Sequence, residues 1–389
     1  MTRRVETVNS KVSVFSPDDP QPLGQRFWAV VRAKVIDELT GQPPLSAITI
    51  ESDALHLVPR VASDGLVGLV GIPQQVFPAL VSQKYDLMLK VKAQGYIPGK
   101  TSFSILQDTN FPGNFTPPQP ADVALHREPT VIAGRVVRAS GNTTKPLSGA
   151  VVRVTGIWRK PPPANLVIAS SPPNLVSLHP RLYSGRGGAI AGQLELRNLQ
   201  PILGDDKFLL DDVSEDANPI RLSNRQNLNL GNILLIDSDK PDIAEYIAIK
   251  TIAGAGTLTQ PAVIMLDHPL LHAHRKNARI QKVNPQSLGP QKQFTQEALA
   301  DDTCVFLNNV TGLTTGNQVK ILGGPNTAEY HRVSLFSTIS DAEGYYRLPP
   351  LSRVAQLKIR AQHGSLTPVQ MEFRPDYTLH ENRLDFILR

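Results

Sequence analysis

The stretch "LDHPLLHAH" (Leu266 to His274) brings Asp267, His268, His272 and His274 into one short run, the only grouping in the chain with metal-ligand chemistry. His272 and His274, two apart on a strand, share a face and can offer ring nitrogens to zinc. Pro269 breaks the segment, however, and a third ligand must come from elsewhere. The expectation is therefore structural or surface histidines, with no metal and no cofactor. A second candidate, "GDDKFLLDDVSEDANP" (Gly204 to Pro219), holds six acids but lacks the ordered Asp-x-Asp-x-Asp-Gly loop that wraps calcium, and reads as a solvated acidic loop. Glu245 and Glu329 each stand in an Ala-Glu-Tyr unit, where a duplication accounts for their recurrence without catalysis. "GGAIAGQLELRNL" lacks the Lys-Ser/Thr and the strand-helix setting of a phosphate loop, and no Gly-x-Ser-x-Gly elbow occurs. Cys304, in "TCVFL", reads as a buried thiol. None of these constellations adds up to an enzyme.

The elements around these residues are strands. Alternation with period 2, punctuated by turn residues, dominates the chain, and long helical periodicity is missing. Proline is frequent, 33 of 389 residues or about 8% against an average near 5%, which helices do not tolerate. In "SDAEGYYRLPPL" (Ser340 to Leu351), Asp341 is expected to bond the backbone two residues on. Gly344 takes the positive φ that closes the turn, and Tyr346 and Leu348 share a face of the next strand. "SDGLVGLVGIP" (Ser63 to Pro73) is a shorter version of the same turn, placing Asp64 and Gly65 where Asp341 and Gly344 stand.

Two resemblances follow from these residues. "IAGRVVRASGNTTKPLSGAVVRVTG" together with "ISDAEGYYRLPPL" and "LKIRAQHG" resembles the carboxypeptidase regulatory-like module, a small transthyretin-type β-sandwich. No His-x-x-Glu zinc motif accompanies it, so the resemblance implies a spacer or interaction unit and no peptidase. Its two halves lie far apart, which implies a single sandwich split by an insert with its own duplication. One copy spans Leu228 to Val283 and the other Asp301 to Phe336. Both carry Gly-Asn before an apolar strand (Gly231-Asn232, Gly316-Asn317) and then Ala-Glu-Tyr (Ala244 to Tyr246, Ala328 to Tyr330). This repeat is similar to small β-units in structural proteins of phage tails and of phage-tail-like contractile injection particles.

The expected organisation is all-β, with tandem transthyretin/Ig-like β-sandwiches, the second split by a duplicated small β-domain. Residues 1–25 form an extended arm and 26–128 the first sandwich; 129–159 and 337–389 form the second sandwich. Residues 160–190 form a proline-rich loop and 191–336 the insert. Arm and loop read as segments that dock on neighbouring subunits, the arm by adding a strand to an exposed sheet edge.

Charge and targeting signals narrow the function classes. The net charge of +6 and pI near 9.3 come from scattered basic residues, whose longest groups are pairs such as Arg3-Arg4 and Arg159-Lys160. That is a generally basic surface and not a nucleic-acid footprint. The opening "MTRRVETVNSKVSVFSPDDPQP" has no apolar stretch, and no later run approaches the roughly 20 apolar residues of a spanning helix. A lone Cys304 excludes an internal disulfide. The expectation is a protein made and folded in the cytoplasm, where the Asn-x-Thr sites at Asn114, Asn142 and Asn309 are chance matches.

Taken with the resemblances, these features imply a non-enzymatic cap, tail-end adaptor or baseplate-associated protein, present in several copies as a homo-oligomer. It would bind tube, sheath, cap or baseplate subunits of a particle that is released or membrane-attached. The alternative is an adhesin or carbohydrate-binding sandwich, for which Trp28 and Trp158 offer little aromatic platform.

Overall fold

In a computed structural model of the chain, the described residues are 28–53, 57–71, 84–107, 115–116, 118, 120–141, 143–159, 174–184, 192–253, 257–322 and 328–389. The arm expected over 1–25 lies outside them, as do 160–173 and 185–190 of the expected proline-rich loop. Among the described residues the structure is all-β and no helix is present. None is therefore long and apolar enough to cross a membrane. The chain divides into two compact units, Met1–Glu128 and Pro129–Arg389.

The first unit stacks two four-stranded sheets. One runs in the order Val58–Val61, Leu66–Gly71, Trp28–Asp37, Ala121–Leu125, and the other Ile48–Ser52, Lys84–Ala93, Gly99–Gln107, Phe115–Thr116. Alternate residues of these strands point inward, and Val35, Leu69, Leu87, Leu89, Ile105 and Leu125 are nearly or fully buried between the sheets. Ala121–Leu125 closes the sandwich by pairing parallel with Trp28–Asp37.

In the second unit, strands from either side of the insert pair with one another. Val131–Ser140 bonds Thr143–Pro146 and Tyr345–Arg347 antiparallel, and Glu381–Arg383 and Phe386–Leu388 parallel. The facing sheet runs Ser337–Ile339, Val151–Arg159, Val354–Gln362, Val369–Phe373. Tyr346 is buried against Phe386 and donates its hydroxyl to the Leu384 carbonyl at 2.6 Å.

The same turn closes both sandwiches. Asp341 Oδ1 accepts the Glu343 and Tyr345 N–H groups at 3.0 and 2.7 Å, and Gly344 has φ +78°. Its carbonyl receives the Val136 N–H at 2.8 Å, an approach so close that an added Cβ would lie 2.5 Å from Val136 O. Asp64 Oδ1 likewise accepts Leu66 N–H at 3.0 Å, and Gly65 (φ +81°) receives Val35 N–H at 2.9 Å. Both positions require glycine twice over, for φ and for space.

The insert is built around a closed ring of six strands. Gln193–Pro201 pairs with Arg279–Gln293 and Gln318–Leu322; Ile233–Ile236 pairs with Arg279–Gln293 and Glu245–Ala253. Glu329–Leu335 joins Gln318–Leu322, and the pair Tyr246–Tyr330 closes the circuit. Leu199, Ile233, Leu235, Tyr246, Val283 and Tyr330 pack together as one buried cluster of this ring. Two further cores lie beside it, one around Leu222, Ile236, Ile264 and Ile280 and one around Val176, Leu194, Leu307 and Ile321.

The proline-rich segment expected over 160–190 contains a strand instead of a continuous loop. Leu175–His179 lies between Cys304–Phe306 and Glu329–Leu335, with Leu175, Val176, Ser177 and Leu178 all buried. A short, mostly apolar run bounded by turn residues fits a strand covered on both faces, and the prolines stand outside it. The insert therefore reaches back at least to Asn174, beyond the expected boundary at 191.

Leu175–His179 also completes the second copy. Leu209 bridges Leu222 in the first copy as Phe294 bridges Leu307 in the second. Asp216 N–H bonds Leu270 O at 2.8 Å, and Asp301 N–H bonds Leu182 O at 2.8 Å. Gly231 and Gly316 donate to Ile249 O and Val333 O, each at 2.8 Å. The first copy runs unbroken from Lys207 to Val283. The second runs from about Phe294 to Phe336 and takes its remaining strands from 175–201, earlier in the chain.

Candidate functional site

A set of buried titratable side chains lies where loops of the two copies meet. In the first copy, strand Ala262–Leu266 ends where the Asn218 side chain bonds both backbone groups of Leu266 at 3.0 Å. Pro269 then prevents a continuing strand, and Leu270 and Leu271 bury to anchor the loop. His272 and His274 consequently do not share a strand face.

Glu245, 1% exposed at the head of its strand, holds this loop. Its carboxylate accepts the Leu271 and His272 N–H groups at 3.0 and 3.2 Å and meets His274 Nε2 at 2.8 Å. His274 Nδ1 meets Asp237 Oδ2, also at 2.8 Å, while Asp237 Oδ1 holds Lys240 Nζ at 2.9 Å. Burial alone would lower the His274 pKa, but the two carboxylates outweigh it and hold the ring above its ordinary value. An imidazolium with both nitrogens donating has no lone pair left for a metal.

The other candidates face elsewhere. His268 Nδ1 lies 2.9 Å from Pro269 O, and its ring stacks on Tyr183 at 4.6 Å. His272 stacks on His179 at 5.7 Å. Burial pushes the His272 pKa down to about 4 and lowers that of His179 as well, the latter helped by the Arg332 charge. Asp267 donates its N–H to Ala248 O at 3.0 Å. The structure thus disperses Asp267, His268, His272 and His274 among separate environments. Among the described residues no three His, Cys, Asp or Glu side chains are placed to hold a metal ion.

The second copy repeats the device with different partners. Glu329, also 1% exposed, accepts the Tyr183 and Ser184 N–H groups at 2.7 and 3.0 Å and the Ser184 hydroxyl at 2.7 Å. His331 Nδ1 bonds Pro180 O at 2.9 Å. Arg181 crosses between the copies: Nε bonds Asp301 at 2.8 Å, and the guanidinium also pairs with Glu215 and reaches Leu271 O at 3.5 Å. Chemically, these groups pin one loop on each copy and join the two.

The acidic stretch is likewise more structured than a solvated loop. Asp205 pairs with the fully buried Lys207, Asp206 with Arg279 and Gln281, and Asp211 with Arg221. Cys304 is buried in its strand.

Two buried polar clusters went unread in the sequence. In the first unit Asp37 accepts Tyr96 Oη–H at 2.7 Å and Arg127 Nε–H at 2.6 Å. Burial favours the protonated acid, yet these bonds keep the Asp37 pKa below its usual value and, with burial, push Tyr96 up to about 12. In the second unit Arg353 donates to Asp302 at 2.7 Å and to Ala300 O at 2.8 Å, tying the host sandwich to the insert. Only the tertiary fold brings these partners together.

No protein-family model matches the chain, nor does any curated protein. Among solved structures, the crystal structure of BcpA, the major pilin subunit of Bacillus cereus, aligns over 92% of this chain and 98% of its own at 8% identity and a TM-score of 0.19. The T6 backbone pilin of serotype M6 Streptococcus pyogenes aligns over 89% and 80% at 9% identity and a TM-score of 0.16. At such TM-scores the likeness carries no argument about fold or function.

Proposed function

We propose that the protein is a non-enzymatic structural subunit of a phage-tail-like contractile injection particle, at a cap, tail-end adaptor or baseplate position. One observation supports this reading most. The residues that carry the particle-type resemblance hold the insert together. Asn232 Oδ1 accepts Asn229 N–H at 2.9 Å and Asn317 Oδ1 accepts Thr314 N–H at 2.8 Å. Glu245 and Glu329 pin the loops, and Tyr246 and Tyr330 close the ring. Side chains used in this way serve shape and stiffness, which is what a subunit that sets spacing in an assembly needs.

The test is electron microscopy of material captured with the tagged protein from cells that make it. Tube- or ring-shaped particles carrying the protein in several copies are expected, and deleting residues 1–25 should leave a folded protein that no longer enters them. Capture of the monomer alone would refute the reading. Normal incorporation of the deletion variant would remove the arm's role.

A further inference from the structure

The outer face of the sheet Ser337–Ile339, Val151–Arg159, Val354–Gln362, Val369–Phe373 has an unusual arrangement of charge. Arg153 and Arg360 are direct cross-strand partners, and Gln370 continues the row beyond Arg360. Like charges set directly opposite each other weaken a sheet. Several buried or half-buried arginines of the fold pair with carboxylates: Arg127 with Asp37, Arg181 with Asp301, and Arg353 with Asp302. Among the described residues, Arg153 and Arg360 have no such partner, and the Nε of each is shut off from water without a hydrogen bond.

The next row adds a third cation. Lys358 Nζ lies 5.2 Å from the centre of the Trp158 ring and 3.3 Å from Glu372, the single carboxylate among these residues and one that Gln356 also binds. Three cations against one occupied carboxylate leave the face short of negative charge.

We infer that this sheet face is a docking surface for a carboxylate-rich segment of a partner protein, with an incoming carboxylate seated between Arg153 and Arg360. Such a group would meet the outer nitrogens of both guanidinium groups, whose planar geometry matches a carboxylate. It would also cancel the repulsion that the free sheet carries, while Trp158 offers an apolar flank. The inference stands apart from the particle reading, since an acidic partner can be bound here whatever larger assembly the protein enters.

The test is titration of the full-length protein with a hexaglutamate peptide at low salt, with hexalysine and inorganic phosphate as comparisons. Hexaglutamate should bind and hexalysine should not, and raising the salt should weaken binding because screening acts on exposed charge. Arg360→Gln and Arg153→Gln should each weaken binding about tenfold or more, since each removes a charge-assisted bond. Their melting temperatures should stay unchanged or rise, because each variant removes the opposed charge. Arg360→Lys should retain part of the affinity. Absence of binding by the wild-type protein would overturn the proposal, as would unchanged affinity in both glutamine variants. So would phosphate binding as tight as the peptide's, which would mark a general anion site.

Discussion

His272 allows the junction between the copies to be tested by pH alone. Its imidazole has an ordinary pKa of 6.5 and one of about 4 in the fold, because burial excludes the charged form. Below pH 6.5 the unfolded chain takes up a proton at this site that the folded chain refuses. Stability from His272 is therefore complete above pH 6.5, falls as the pH drops, and levels off near pH 4. At about 1.4 kcal/mol per pH unit, the interval from 6.5 to about 4 gives a loss of about 3 kcal/mol. His274 does not blur the measurement. Its folded pKa is raised, so its contribution is complete below 6.5 and is lost only as the pH rises above that.

Carboxylates also titrate in this window, but they cancel when wild type is compared with His272→Gln. Urea unfolding at pH 4.0 to 7.0, followed by Trp158 fluorescence in a Trp28→Phe background, gives both stability curves. The wild type should lose about 3 kcal/mol more than the variant between pH 6.5 and 4. Parallel curves would refute the reasoning, since they would mean that His272 is solvated and that its stacking on His179 places no cost on the proton.

Three further substitutions test the two sandwiches. Gly344→Val should cost about 3 kcal/mol, combining backbone strain with a Cβ 2.5 Å from Val136 O. Gly41→Ala, at φ +68° with nothing near its Cβ, should cost only about 1 kcal/mol; equal losses in thermal melts would mean that the close approach is misread. Arg353→Leu leaves the fully buried Asp302 without its guanidinium and should cost about 3–5 kcal/mol, while a loss below about 1 kcal/mol by calorimetry would show the pair to be dispensable.

What the sequence disclosed and what it hid have physical causes. Period-2 alternation and turn chemistry are local, so the all-β class and the Asp341–Gly344 turn could be read from a few neighbouring residues. Leu175–His179 looked like loop because it is short and flanked by proline, and burial on both faces, Ser177 included, erases alternation. The histidine run shows the same dependence on context: residues two apart share a face only on a strand, and Pro269, legible in the sequence, denies them one. Glu245 and Glu329 held the best legible signal, a carboxylate repeated at the same place. Their roles still depended on backbone N–H groups elsewhere in the chain, which no local pattern reveals.

The permutation of the second copy explains how the insert can be large without being loose. Insertion into a host fold is tolerated when the ends of the inserted segment lie close together. Copies in simple succession would enter the insert through one copy and leave through the other. Here Leu175–His179, near the entry, and Glu329–Leu335, at the exit, both belong to the second copy and are hydrogen-bonded neighbours, Val176 opposite Leu335. The exit continues directly into the host, where Phe336 O accepts Val154 N–H at 3.0 Å and Ser337 pairs with Arg153. Ser177 Oγ donates to Pro350 O at 2.9 Å, Thr303 N–H to Ser352 Oγ at 2.9 Å, and Arg353 binds Asp302, so the second copy is bolted to the host at several points. The first copy reaches the host through the closed ring instead of through a single strand of chain. Moving it away from the sandwich would break the backbone pairing between Gln193–Pro201 and Arg279–Gln293 and the Tyr246–Tyr330 bridge.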